Sequence, residues 1–561
     1  MADVFGATHD LGEDLPPPRA LTVAEVTGLG EELAAYHAHF APYFKRSEQR
    51  DWAAIYLQGL LTADVPRKNT EAMALRLLGA GPGAEARVRA LQQFIGEGGW
   101  DDAAILAAHQ RLVDETLGES DGVLLIDGSD IPKHGDHSVG VFRQWCGATG
   151  KLDNCQAGVF LGYASRQGYT LLDRRLFLPE CWFTAEYRER RTACAIPKET
   201  VFATKTALAA TMVETMQAEH RLRARWLVCD EGFGKDPGFL DRVNKAGLWY
   251  LAEAPCATEV WPLVDPSDGT TARARPETWL RPQQPSHKGP APTKRRLHPD
   301  SPAKLRLDAL GAQLPAEHWR RYRLLEGSKG PLVADFAVVR AVAVRHRLPG
   351  PEVWVLLRRT IPGPGEQPEY KYYLSQAPAD VPVAELVRVS GMRWPIEACF
   401  AEGKEEVGLD HYELRFWRGW YHHMTLVILA HHFLVRLQRR LDQRGGGPTA
   451  SNHAGTSHAS TDPADSATRT APRSAGRLPG RLADASSRPA APASPLAAPQ
   501  PPTGAPTPAR GVATALLRPD RCACPGRLPA AAQYRRLPVP SPAHPAAPDR
   551  PGSLTHVSLY Y

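Results

Sequence analysis

Two aspartates each follow an apolar run that is predicted to form a buried strand. Asp127 ends such a run in the stretch LLIDGSDIPKHG, and Asp230 ends another in RWLVCDEGFG. A carboxylate at the carboxyl end of a buried strand lies on the open edge of a sheet, where active sites are commonly built. Because Mg²⁺ prefers oxygen ligands and binds through one or two carboxylates, the two aspartates are candidate ligands for divalent metal ions.

A third acid, Glu397, lies between two basic residues in the stretch GMRWPIEACFAEGKEEVGLDHYELR. Pro395 suits the first turn of a helix, so we expect a helix to begin there. Glu397 and Lys404 are two helical turns apart and project from one face, and Arg393 lies just before the helix. An acid flanked by Arg and Lys is typical of a metal ligand beside groups that bind phosphate. The alternative is that Glu397 only pairs with Arg393 or Lys404 on a solvated face.

Other polar residues near these acids are weaker candidates for chemistry. Asp130 lies three residues after Asp127, but strand alternation places it on the other face, which favours Asp127 as the ligand. Glu231 directly follows the second aspartate and should likewise point away. The adjacent histidine pairs His422–His423 and His431–His432 are badly spaced for one metal ion, so packing is the favoured interpretation for them.

The segments that must position these acids are predicted from their hydrophobic patterns. Strands are predicted at Val123–Ile126, Ser138–Cys146, Ala157–Tyr163, Tyr169–Leu178, Trp226–Cys229 and Trp249–Ala252. Helices are predicted within 21–117, at Lys198–His220, after Asp236, from Val383 and at Tyr421–Arg440. Strands that first follow one another and then alternate with helices favour an α/β fold, in which helices cover the faces of a mixed sheet.

A different pattern interrupts this alternation between residues 255 and 385. The stretch 271–310 contains 6 Arg and 3 Lys against 3 acids, a local charge of +6, together with seven prolines. Further strands are predicted at Leu332–Val344, Val353–Arg359 and Tyr370–Leu374. We therefore expect a β-rich insertion at 255–385.

The composition of the 561 residues argues against membrane and secreted proteins. No apolar run approaches the roughly 18 residues of a membrane span, and the N-terminus lacks a basic and apolar signal pattern. The nine cysteines are scattered rather than clustered, which suits a reducing compartment. We therefore expect a cytoplasmic protein.

The end of the chain, residues 445–561, has an unusual composition. It contains 12 Arg and 5 Asp but no Lys or Glu, so its net charge is +7. Because the whole chain has a net charge of +6, residues 1–444 sum to −1. The basic character of the whole chain is therefore no argument for nucleic-acid binding. With 21 Pro and 25 Ala, this segment has too little apolar surface to offset chain entropy and is predicted to be a disordered tail.

Several linked motifs resemble a known family. The spacing of Arg393, Glu397 and Lys404 matches the last three positions of the Tyr-x2-Arg-x3-Glu-x6-Lys signature of bacterial insertion-sequence transposases of the DDE class. Ser390 stands where that signature has Tyr. The stretches DGSDIPKHGDHSVGVFRQWCG, NCQAGVFLGY and GLDHYELRFWRGWYHH are similar to the insertion-sequence four and seven-oh-one groups. The resemblance covers about residues 40–440.

The resemblance implies an RNase H-like catalytic domain in which Asp127, Asp230 and Glu397 are catalytic and hold two Mg²⁺ ions, with Mn²⁺ as a possible substitute. Two such ions, about 3.5–4 Å apart, activate an attacking water or 3′-hydroxyl and stabilise the departing oxygen. Composition and patterning, together with the resemblance over about 40–440, predict a flexible N-terminus (1–20), a helical DNA-binding domain (21–120), a catalytic domain in two parts (121–254 and 386–444), the β-rich insertion (255–385) and the disordered tail (445–561).

The resemblance also implies contacts with DNA and a homodimer that bridges two element ends. Basic candidates for phosphate contact are Lys133, Arg143, Lys294, Arg295, Arg296, Arg393 and Lys404. Trp354, in the insertion, is a candidate to stack on an unpaired base. The alternatives are a solvated loop for Lys133 and a core position for Trp354.

The predicted function is that of a DNA transposase. Such an enzyme binds the terminal inverted repeats of an insertion sequence, cleaves the strands in a metal-dependent reaction and transfers the freed 3′-hydroxyl into target DNA. One alternative is an RNase H-like nuclease without strand joining, and another is an inactive or repurposed DNA-binding copy, which the unusual tail favours. A metal phosphohydrolase acting on small molecules would leave the basic insertion unexplained.

Overall fold

The computed structural model describes residues 9–10, 23–267, 279–280, 296–325, 331–363 and 365–445. Within these ranges the chain has a mixed α/β fold, which confirms the predicted class. The predicted flexible N-terminus apart from residues 9–10, the pair Lys294–Arg295 and the predicted tail beyond residue 445 lie outside the described residues. Among the described helices, none has the length and apolar content needed to cross a bilayer.

Among the described residues, five α-helices precede the first long strand, and the other α-helices lie between strands or after the last one. The described helices are α1 (Val23–Phe40), α2 (Ser47–Leu61), α3 (Thr70–Leu78), α4 (Ala84–Gly96), α5 (Asp102–Leu117), α6 (Arg188–Ala193), α7 (Lys205–Ala218), α8 (Glu231–Gly234), α9 (Pro237–Lys245), α10 (Leu307–Gln313), α11 (Val383–Ser390), α12 (Trp394–Glu405) and α13 (Trp417–Gly445). Helix α7 begins later than predicted because Thr204 caps it, accepting a hydrogen bond from the backbone N–H of Ala207.

Each predicted strand is present among the described residues, several extend further, β3 begins later than predicted, and β1, β8, β9 and β10 were not predicted. They are β1 (His9–Asp10), β2 (Val123–Pro132), β3 (Phe142–Cys146), β4 (Lys151–Ser165), β5 (Gly168–Phe177), β6 (Trp226–Cys229), β7 (Trp249–Glu253), β8 (Glu259–Pro262), β9 (Leu305–Arg306), β10 (Arg320–Leu325), β11 (Pro331–Arg345), β12 (Leu348–Thr360) and β13 (Tyr370–Ser375).

All of these described strands belong to one sheet. Its central strands β2, β6 and β7 are parallel, and all four residues of β6 are buried, as is usual for parallel strands covered on both faces. On one side β4 pairs antiparallel with β2, and β5 pairs antiparallel with β4. On the other side β13 pairs antiparallel with β7, followed by β12, β11 and β10. The strands of the predicted insertion therefore continue the sheet that carries the two aspartates.

Strand alternation gives the sheet a hydrophobic core on each face. Val123 and Leu125 pack into the core that also contains residues of α1–α5, α12 and α13. Leu124 and Ile126 pack into the opposite core, with residues of α7 and α9. Different helices thus cover the two faces of the sheet. Because alternate residues of a strand face opposite sides, the position of a residue along the strand predicts which helices its side chain contacts.

Helix α13 connects the amino-terminal helices to the sheet through buried histidines. The hydroxyl of Tyr56 lies 2.8 Å from His423 Nδ1, and the ring of His422 stacks on Trp100 at 3.6 Å between centroids. The hydroxyl of Tyr36 donates to the carbonyl oxygen of Leu429 at 3.0 Å. Packing is therefore the role of these histidines, as predicted, and helices α1–α5 share a core with the last helix.

Candidate active site

Asp127 and Asp230 lie on neighbouring parallel strands at the carboxyl edge of the sheet. The pairing of β2 with β6 ends one residue before each aspartate. Leu125 and Val228, two residues earlier on each strand, pack into the core beneath α12. Because side chains alternate along a strand, both carboxylates are directed to the α12 face.

The prediction that the strand ends at Asp127 is wrong, because β2 continues to Pro132. Residues 128–132 remain paired with β4, which keeps them extended despite their Gly, Ser and Pro content. Asp130 lies on the opposite face, where its Oδ2 accepts a hydrogen bond from the backbone N–H of Gly147 at 2.8 Å and its Oδ1 lies 3.9 Å from Lys205 Nζ. Asp130 is thus directed away from the α12 face, as strand alternation predicts.

Asp230 has a structural role in addition to its place at the sheet edge. It is the N-cap of α8, and its Oδ1 accepts a hydrogen bond from the backbone N–H of Phe233 at 3.1 Å. Its other oxygen has no hydrogen-bond partner among the described residues. Glu231, the next residue, is exposed. The cap fixes the carboxylate of Asp230 and leaves one oxygen for another ligand.

Arg393 joins the third acid to the first. Helix α12 begins at Trp394 with Pro395 in its first turn, as predicted, and Arg393 immediately precedes it. Arg393 Nη1 lies 3.3 Å from Asp127 Oδ2, and its Nη2 bonds Glu397 Oε1. The Glu397 side chain is 55% exposed. The alternative of a simple ion pair between Glu397 and Arg393 is therefore incomplete, because the same guanidinium also contacts Asp127.

A fourth acid, Glu253, lies at the same edge and was missed by the sequence reasoning. It is the last residue of β7, two residues after Leu251, which packs into the core beneath α12. Its Oε2 lies 3.7 Å from Arg393 Nε, and its Oε1 lies 3.0 Å from Lys371 Nζ. The signal that identified Asp127 and Asp230 also applies to Glu253, because it follows a buried parallel strand with the same face parity.

The four acids and Arg393 form one electrostatic unit. Burial raises the pKa of Asp127 to about 7, and the charge of Asp230 adds to the rise, while a hydrogen bond from the backbone N–H of Gly128 and the charge of Arg393 oppose it. Burial disfavours the charge of Arg393, but its acidic neighbours together raise its pKa. The site therefore holds more negative charge than its one guanidinium compensates.

The donor set fits hard divalent cations. Within the described ranges, no three acidic, histidine or cysteine side chains are arranged closely enough to hold a metal ion, and the guanidinium of Arg393 bridges two of the acids. Asp127, Asp230 and Glu397 offer only oxygen ligands, which Mg²⁺ prefers. Burial, and next the charge of Asp230, raise the pKa of Asp127, and a divalent cation at this edge would favour the ionised carboxylate again.

The remaining basic candidates for DNA contact differ in how exposed their side chains are. Lys404 lies on α12, is half-buried and has no ion-pair partner among the described residues. Arg143 on β3 and Arg296 are exposed. These three side chains are accessible to a phosphate, whereas their contact with DNA stays a prediction.

Lys133 and Trp354 are engaged within the protein. The Lys133 ammonium lies 3.5 Å from the centre of the Tyr412 ring and donates to the Tyr412 carbonyl oxygen at 3.0 Å. Burial lowers the pKa of Lys133 to about 8. The indole N–H of Trp354 donates to the carbonyl oxygen of Pro378 at 3.0 Å, and the guanidinium of Arg340 covers its ring at 4.7 Å. Lys133 is therefore not on a freely solvated loop, and Trp354 is half-buried rather than fully in the core. The contact of either residue with DNA stays a prediction.

Comparison with known families places the chain among DNA-acting enzymes. Residues 39–331 match the family of DDE superfamily endonucleases. The match includes Asp127 and Asp230 and ends before Glu397. No curated protein matches the chain significantly. The matched region spans more than half of the chain, and the protein therefore belongs to the family of DDE superfamily endonucleases.

Proposed function

We propose that the protein is a cytoplasmic DNA transposase of the insertion-sequence four and seven-oh-one groups. In this proposal it binds the terminal inverted repeats of an insertion sequence, cleaves DNA at the element ends and joins the freed 3′-hydroxyl to target DNA. The main support is that the guanidinium of Arg393 contacts both Asp127 and Glu397, which are far apart in sequence. The charge of Asp230 also acts on this guanidinium. Family membership supports a nuclease reaction at this place.

The proposed core is RNase H-like. Its support is the strand order β5-β4-β2-β6-β7, in which antiparallel β4 and β5 flank a parallel group with two aspartates at its carboxyl edge. The third acid comes from a helix that packs on one face of the same strands. This arrangement brings three carboxylates from two strands and one helix to one edge of the sheet.

In the proposed mechanism Asp127, Asp230 and Glu397 hold two Mg²⁺ ions, for which Mn²⁺ can substitute. When bound, such ions polarise the scissile phosphate and favour the ionised form of the attacking hydroxyl. The basic side chains of Arg393 and Lys404 bind and orient non-bridging phosphate oxygens from the same helix region. Water attacks the scissile phosphorus and displaces the 3′ oxygen at the element end. The resulting 3′-hydroxyl then attacks a phosphorus of the target and displaces the 3′ oxygen of the target strand, so no covalent protein intermediate is required.

The DNA path is proposed to run over the accessible basic side chains. Arg143, Lys404 and Arg296 are the accessible ones among the described candidates for phosphate contact. The other described candidates are Lys133 and Arg393. The helical region 21–120 is proposed to recognise the inverted repeats, and a homodimer is proposed to bridge two element ends. Contact with phosphates predicts affinity that falls steeply as salt concentration rises.

The test uses purified protein, Mg²⁺ and DNA carrying the element end, taken from the inverted repeats that flank the gene. A transposase nicks at the end and joins pre-cleaved ends to a second DNA. Nicking without joining would indicate the nuclease, and binding without either reaction would indicate the DNA-binding copy. Asp230→Asn should abolish both reactions and leave binding unchanged. Glu231→Gln, which removes the neighbouring exposed charge, is the matched control and should retain both reactions.

A further inference from the structure

Arg393 presents N–H groups to three carboxylates. Its Nη1 contacts Asp127 and its Nη2 contacts Glu397, the two proposed metal ligands. Its Nε faces Glu253 Oε2 at 3.7 Å, an ion-pair distance longer than a hydrogen bond. A guanidinium remains charged in proteins, so it cannot leave these acids by losing its proton.

Glu253 is a fixed carboxylate. It is 15% exposed, and the ammonium of Lys371 on the neighbouring strand β13 holds its Oε1 at 3.0 Å. Its main chain is also closely packed, because a Cβ at Gly234 would lie 1.9 Å from the Glu253 carbonyl oxygen. One oxygen is therefore held by a lysine, and the other faces the guanidinium.

The guanidinium of Arg393 contacts Asp127 Oδ2 and Glu397 Oε1, and a divalent cation that used these two oxygens would compete with it. For the cation to take them, the guanidinium must move, and a partly buried charge without a new partner is costly. Glu253 is the acid that the guanidinium can reach with a shift of about 1 Å, which would bring its Nε to hydrogen-bond distance.

We propose that Glu253 is a positioning residue that receives the guanidinium of Arg393 when Asp127 and Glu397 bind divalent cations. The inference rests on the proposed function, because it takes these two acids as ligands. Glu253 itself is not a ligand in this account. It acts through Arg393, and it lowers the free energy of the state in which the metal-binding oxygens are released.

A double-mutant cycle on Mn²⁺ affinity tests this role without DNA and without an activity assay. Glu253→Gln should weaken Mn²⁺ binding about threefold to tenfold, because the guanidinium then keeps its bonds to the ligands. Arg393→Met should tighten binding, because the competing cation is removed. Glu231→Gln is the control, because it removes an equal charge beside Asp230. In the Arg393→Met background, Glu253→Gln should change Mn²⁺ affinity no more than Glu231→Gln does.

Failure of the role of Glu253 and failure of the proposed function give different Mn²⁺-binding results. If Glu253→Gln weakens Mn²⁺ binding equally in both backgrounds, Glu253 acts directly on the metal and the inference is wrong. If it changes binding in neither background, the inference is also wrong. A folded wild-type protein that binds no Mn²⁺ would instead contradict the proposed function.

A second variant tests the inference if Glu253→Gln fails to fold. Lys371→Met frees the Oε1 of Glu253 for Arg393. Binding of Mn²⁺ should then become tighter than in the wild type, and unchanged or weaker binding would overturn the inference. Matching far-ultraviolet circular dichroism spectra would verify the fold of each variant.

Discussion

Replacing Asp127 with Asn should stabilise the metal-free protein. Burial and the charge of Asp230 raise the pKa of Asp127 from its usual 3.8 to about 7. Such a rise corresponds to about 4 kcal/mol of penalty on the ionised side chain. Asn has a similar shape, carries no charge and can still accept the hydrogen bond from the Gly128 N–H. We expect Asp127→Asn to raise the free energy of unfolding by about 2–4 kcal/mol above pH 7.

The pH dependence of this gain has a definite sign. The pKa of folded Asp127 lies above that of the unfolded chain, so the folded state binds more protons between pH 3.8 and about 7. The stability of the wild type should therefore fall across this window as pH rises, whereas the variant lacks that fall. The advantage of Asn should be small at the acid end and complete above pH 7, and Mg²⁺ should reduce it by stabilising the wild type.

Urea unfolding with a metal chelator, at a series of pH values, measures this effect. Asp130→Asn is the matched control, three residues along the same strand. It should not gain stability, because Asn can still accept the hydrogen bond from the Gly147 N–H but loses the attraction of the Lys205 ammonium, 3.9 Å from Asp130 Oδ1. If Asp127→Asn is no more stable than the wild type above pH 7, the account of charge crowding at this edge is refuted.

Three further predictions concern the framework around the site. Arg174 is 2% exposed and binds Asp102 and the hydroxyl of Thr425. Arg174→Met should therefore lower the free energy of unfolding, measured by urea titration, by about 3–5 kcal/mol. A loss below about 1 kcal/mol would contradict this. Burial lowers the pKa of His423 to about 3, so it must stay neutral in the folded state, and its contribution to stability is lost as pH falls below 6.5. His423→Gln should remove about 2 kcal/mol of the loss between pH 7 and pH 5, and an unchanged acid dependence would argue against it. Gly234→Ala should cost about 1–3 kcal/mol and weaken Mn²⁺ binding, because the new methyl would displace the main chain of β7; unchanged thermal stability and affinity would refute this.

The elements that position the site were largely predictable because their signals are local. The four-residue run before Asp230 is apolar throughout, and the structure has β6 at the same residues. Pro395 marks the start of α12, and the structure begins that helix one residue earlier. In contrast, the Gly, Ser and Pro content after Asp127 hid the second half of β2, which remains extended because β4 pairs with it.

Contacts between distant segments could not be read from the sequence. The sequence does not show that the ammonium of Lys133 packs on the Tyr412 ring, or that Pro378 and Arg340 contact the Trp354 side chain. Glu253 resembles an ordinary residue at a strand end, and its importance depends on β7 lying beside β6 with the same face toward α12. Glu253 directly follows the predicted strand Trp249–Ala252, so the strand-end signal used for Asp127 and Asp230 would have pointed to it.

The most direct test of the central claim is anomalous X-ray scattering from crystals of the protein grown with Mn²⁺ and a DNA end. We expect Mn²⁺ bound to carboxylate oxygens of Asp127 and Asp230, with Glu397 completing the site and Arg393 moved off both Asp127 and Glu397. Mn²⁺ bound instead through Asp130, or a site in which Glu397 stays bonded to Arg393, would contradict the account.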